Sequence, residues 1–150
     1  MTRRLRLRNL PTRVATGAYI AHTGWEKWHG TPERAQGVHG MAAGAYPFLD
    51  SVEPERFLKG LAVGELTVGA LLLSPFVSNA TAGLALTGFA GGLLTMYART
   101  PTMHKPGSIW PTPAGLPVSK DVWMLGIGLG LLADALTSGR PQRRKRGATD

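Results

Sequence analysis

Glu65 is the side chain of this sequence best placed to do chemistry, because it is an acid set inside an apolar segment. It stands eight residues into 57–74, ~12 Å from the start of that segment if the segment is helical. An ionised carboxylate at that depth in a bilayer costs ~3 kcal/mol or more, so it needs a proton or a facing partner. A preceding antiparallel helix brings His22 and Lys27 to the same depth, Lys27 by reaching down on its aliphatic stem. Two chemistries follow. Glu65 relays protons or grips a ligand, or it closes a helix–helix pair with Lys27 or His22. The pairing reading carries more weight, since a cation lies within reach.

A second constellation is His22-x-x-x-Glu26-x-x-His29, which falls on one helical face at i, i+4 and i+7. The Glu26-x-x-His29 spacing matches the pair used by di-iron bundles, but such a site needs two pairs and two further glutamates. Only Glu65 is available within the apolar segments, so the preferred reading is a wet, polar helix end rather than a metal site. Haem between helices needs a second intramembrane histidine, and His39 and His104 fall in expected loops. Asp134 lies near the inner end of the last apolar segment, where a snorkelling or paired acid is expected.

The elements that must position these residues are apolar helices. Residues 66–98 carry no charge in a chain of formal net charge +8. That run is too long for one span of ~20 residues and about right for two. In its middle, Ser74-Pro75-Phe76-Val77-Ser78-Asn79-Ala80-Thr81 gathers turn and cap formers. The expected hairpin is 57–74 and 81–98. A further span is expected at 122–137 and a weaker, partly polar one at 13–28. Residues 99–120, with five prolines, read as a loop without regular helix or sheet. Residues 29–56 also lie between spans and contain a mildly apolar piece, 38–49, too short to cross.

Ten of the 17 Lys and Arg sit in the two tails, Arg3 to Arg13 and Arg140 to Arg146. Basic flanks of apolar spans mark the cytoplasmic side, so both ends belong there and the number of crossings is even. The same tails suit anionic lipid and argue against nucleic acid. The fold expected is an all-α transmembrane four-helix bundle: a basic arm 1–13, a membrane domain 14–137 and a basic, disordered tail 138–150. In that topology Trp25, Trp28, Trp110, Trp123 and Tyr97 gather at the outer interface, the depth indole rings prefer. Gly60/Gly64, Gly88/Gly92 and Gly126/Gly130 each form a G-x-x-x-G pair that allows close helix contact. There is no cysteine, which excludes disulfides, thiolate metal sites and thiol nucleophiles. Thr2-Arg3-Arg4-Leu5 faintly resembles a twin-arginine signal, but no small-x-small site precedes Glu26-Lys27, so cleavage is not expected.

Two segments carry a family resemblance. Ala18-Tyr19-Ile20-Ala21-His22-Thr23-Gly24-Trp25-Glu26-Lys27-Trp28 resembles the first helix of the DoxX family, which ends in a glycine followed closely by lysine. Gly60 to Leu73, in which Glu65 precedes a leucine run, is similar to that family's second helix. The resemblance covers about residues 14–137 and assigns Gly24, Lys27 and Glu65 to the family's recurring positions. It implies a four-helix protein of the bacterial inner membrane, with quinone-linked oxidoreductase subunits and membrane anchors among its relatives. The 99–120 loop, the basic tails and Glu26 depart from the family pattern.

The functional expectation is a non-catalytic subunit or anchor of a larger redox or cell-envelope complex, with other membrane subunits as partners. The alternatives are a quinone-handling subunit with Glu65 as proton-exchanging acid, and a small proton-coupled transporter. Quinone is the one cofactor in view.

Overall fold

A computed structural model describes residues 7–137. The first six residues of the basic arm and the 138–150 tail, where the arginines expected to meet anionic lipid stand, lie outside the described residues. A 3-10 turn at Leu7–Asn9 leads into α1, Leu10–Trp28. The other long helices are α2, Pro32–Ala45; α3, Pro54–Leu73; α4, Asn79–Arg99; and α6, Val122–Thr137. A short α5, Leu116–Ser119, precedes α6. The fold is all-helical; among the described residues the sole strand-like feature is an isolated bridge between His104 and Pro111.

Local sequence sets the helix ends. Ser78 accepts a hydrogen bond from the Thr81 N–H at 3.1 Å and starts α4, as its cap-forming side chain should. Pro54 at the first turn of α3 needs no amide partner there. Helix α2 was not expected, and it corrects the loop assignment of residues 29–56 and of His39. Its start is conventional: Thr31 caps it, Pro32 opens it and Glu33 occupies its first turn. The 99–120 loop, expected to hold no regular helix, contains a 3-10 turn at Pro101–Met103 and the short α5. Pro106-Gly107 makes a tight turn, with Gly107 at φ 68° and Ser108 N–H bonded to the Lys105 carbonyl at 3.0 Å.

Two antiparallel pairs make the bundle, α1 with α3 and α4 with α6. Glycine decides where they touch. A Cβ on Gly69 would lie 2.9 Å from the Gly17 carbonyl oxygen, and one on Gly83 would lie 2.8 Å from the Gly128 carbonyl oxygen. The three expected G-x-x-x-G pairs do not make these contacts. Nothing lies within 4 Å of a Cβ placed at Gly60, Gly64, Gly88, Gly92, Gly126 or Gly130. The correction has a simple cause, since i, i+4 spacing names a face but not whether that face meets another helix.

Ile20, Val68, Leu72, Leu86 and Leu131 form the core where the two pairs meet. A smaller cluster around Ala42, Ala45, Met96 and Met103 seats α2 against the bundle. Two helical stretches, Asn79–Arg99 and Leu116–Thr137, are long and apolar enough to cross a membrane. In the second, the buried residues are Gly128, Leu131 and Ala135. Trp123 and Leu136 are 70% and 79% exposed at the two ends of α6.

Candidate functional site

Helices α1 and α3 meet at Gly24, where a Cβ would stand 3.0 Å from both the Glu65 Cβ and the Leu66 amide nitrogen. That close approach brings Lys27, three residues further along α1, over Glu65. The Lys27 ammonium lies 2.9 Å from each oxygen of the Glu65 carboxylate. The two side chains are 16% and 8% exposed. Both carboxylate oxygens are thus engaged by one cation, the arrangement that offsets the cost of removing either charge from water. Asp121, at the entrance to α6, is close enough for the charges of Glu65 and Lys27 to act on it. Its place was not foreseen, because it depends on how α6 is held against α4.

His22 does not join this group. Its ring points outward, 3.6 Å from Glu26 across one helical turn, and its side chain is two-thirds exposed. Glu26 in turn faces Arg34 of α2 at 3.7 Å. His29 has its Nδ1 3.0 Å from the Trp25 carbonyl oxygen and its ring against the Trp25 indole. His22 and Glu26 thus face each other while His29 turns to Trp25, and no group of three potential ligands gathers among the described residues.

The opposite end of the bundle holds a larger polar assembly. Arg13, assigned by sequence to the border of the basic arm, lies inside α1 and is 1% exposed. Its guanidinium makes five hydrogen bonds. Nε donates to the Leu72 carbonyl at 2.8 Å; Nη2 donates to the Leu71 and Ser74 carbonyls, both at 2.9 Å. Nη1 donates to the Val77 carbonyl and to Asn79 Oδ1, both at 2.9 Å. These carbonyls end α3 and line the turn into α4, where the helix leaves acceptors without intrahelical donors. A cation there also complements the helix dipole.

Asn79 extends the assembly to α6. Its Nδ2 donates to Asp134 Oδ2 at 3.1 Å, and Asn9 Nδ2 reaches the same oxygen at 2.9 Å. Arg8 pairs with the other oxygen of Asp134. Asp134 is a paired acid, and it fastens the start of α1 to the end of α6. Sequence gives little warning of this clasp, since backbone carbonyls leave no signature in residue type.

On the tryptophan end, α2 and the 3-10 turn Pro47–Ser51 cover part of α3 and α4, leaving an apolar cleft of about 410 Å³. Phe57 and Leu61 of α3, Phe89 and Leu93 of α4, and Tyr46 line it; Glu65 does not. Tyr46 Oη donates to the Gly92 carbonyl at 3.0 Å, fixing the ring against α4. Arg99 sits over that ring, its guanidinium carbon 5.5 Å from the ring centre. The four tryptophans are all exposed, on the end of α1, the start of α6 and the loop between α4 and α5. No family model, curated protein or solved structure matches this sequence.

Proposed function

We propose that this chain is a four-span integral protein of the bacterial inner membrane, a non-catalytic subunit or anchor with both termini in the cytosol. The observation that carries the reading is the outward apolar face of α6, where Val122, Trp123, Leu129 and Leu136 are all exposed. Lipid is the solvent that suits such a face. Helices α1 and α3 join α4 and α6 as spans in this reading, with Lys27 and Glu65 paired between them. The contact between Arg8 and Asp134 supports placing both ends on one side. The tryptophans at the other end support an outer interface there. Membership of the DoxX family, on the resemblance across 14–137, is part of the proposal.

The state of Glu65 favours anchoring over chemistry. Both its oxygens are taken by Lys27, and it lies outside the wall of the cleft. A quinone held in that cleft would not meet the acid that the quinone-handling reading requires. The transporter reading has the same difficulty, because the pair fills its own site.

Glu65→Gln tests the proposal. Purified from membranes in mild detergent, the variant is expected to keep the co-purifying subunits of the native protein and their redox turnover. Loss of quinone reduction with the assembly intact would overturn the anchor reading in favour of a quinone-handling subunit.

A further inference from the structure

The cleft beneath α2 has a floor of bare backbone. Gly88 and Gly92 of α4 line it, and a Cβ at either would meet nothing within 4 Å. Its walls are aromatic and aliphatic, with Phe57, Phe89 and Tyr46 among them. Its volume falls in the roughly 300–1,000 Å³ range of small-molecule sites. Its lining residues carry no charge, and a cation stands on the far side of Tyr46. Arg99 is exposed, rests on the Tyr46 ring and has no carboxylate partner among the described residues. An apolar slot with a cation beside its wall is complementary to an amphiphile with a negative head.

We propose that the cleft holds one acyl chain of an anionic bilayer phospholipid whose phosphate is bound by Arg99. The inference rests on the membrane reading above, which puts the tryptophan end at headgroup depth and the cleft within reach of a lipid tail. A flexible chain suits the glycine floor, because it can lie along α4 where no side chain stands. Arg99 suits the phosphate, since a guanidinium offers paired donors to phosphate oxygens.

The test uses the full-length protein in nanodiscs containing equal parts phosphatidylcholine and phosphatidylglycerol, with retained lipid counted by native mass spectrometry. The native protein is expected to keep phosphatidylglycerol selectively. Arg99→Ala should reduce that selectivity about fivefold, the factor one interfacial cation supplies. Gly88→Leu should fill the cleft and abolish retention while helicity by circular dichroism is unchanged. If that variant misfolds, Arg99→Ala at the rim still decides the matter. Equal retention of both lipids by the native protein, or recovery of an isoprenoid quinone in place of phospholipid, would overturn the inference. Alkaline carbonate washing of native membranes separates the two levels. Protein that stays in the pellet yet shows no selectivity refutes the cleft inference alone; protein that washes off refutes the membrane reading with it.

Discussion

The Arg13 Nε donates to the Leu72 carbonyl at 2.8 Å, tying the first turns of α1 to the last turn of α3. Four further bonds from the same guanidinium reach Leu71 at the end of α3, Ser74 and Val77 in the turn, and Asn79 at the start of α4. One side chain thus stitches three helices at their shared end. No other common side chain offers five donors in one plane.

Arg13→Lys is expected to lower the unfolding temperature in detergent, because an ammonium has three donors and lacks the planar fork. Arg13→Ala should cost at least about 2 kcal/mol by stranding several buried acceptors. Thermal unfolding followed by circular dichroism checks both. Equal stability of all three proteins would show that water replaces the guanidinium without loss.

Lys27→Ala leaves the Glu65 carboxylate buried without its cation, at a cost of about 3–5 kcal/mol. Glu65→Gln should cost less, since an amide still accepts from the ammonium. The double variant Lys27→Met, Glu65→Leu should recover most of the loss, as apolar replacements of similar volume often do. A double-mutant cycle measures the coupling directly. Additive effects would mean that the two side chains do not interact.

Glycine substitutions should divide by contact rather than by motif. Gly83→Val drives a side chain into the Gly128 backbone and should separate α4 from α6. Gly126→Val enters open space and should leave the unfolding temperature within a few degrees of native. Comparable destabilisation by both would restore the G-x-x-x-G pair as a contact.

How much of this was legible in the sequence differs from element to element. Apolar runs and cap formers located α4 to within two residues at its start, because a charge-free segment and Ser78 both announce it. Helix α2 escaped because Ala and Gly fill both its faces, giving little apolar contrast, although Thr31-Pro32-Glu33 spelled out its start. Glu65 and Lys27 could be paired by counting depth along antiparallel helices. His22 could not be placed that way, since rotation about the α1 axis decides which side it faces. Arg13 carried the ordinary mark of a topology signal, and its true partners are carbonyls that every residue possesses.

Helix α2 should weaken on acidification. Glu33 is held below its ordinary pKa of 4.5, chiefly by the Thr31 hydroxyl and then by its own backbone N–H. A carboxyl whose pKa is depressed by folding contributes stability above its unfolded value and loses it as pH falls through the folded one. Amide hydrogen exchange in α2 should therefore speed up below about pH 4.5, beyond the intrinsic pH dependence, and Glu33→Gln should remove that excess. An unchanged excess in the variant would assign it to another group.

The most direct measurement is the sidedness of the two ends and the loop between α4 and α5. Reporters that work on only one side of the inner membrane, a fluorescent protein for the cytosol and alkaline phosphatase for the periplasm, are fused at each terminus and inserted at Gly107. Fluorescence at both termini and phosphatase activity at Gly107 are the predicted result. Phosphatase activity at either terminus would contradict four crossings with both ends in the cytosol.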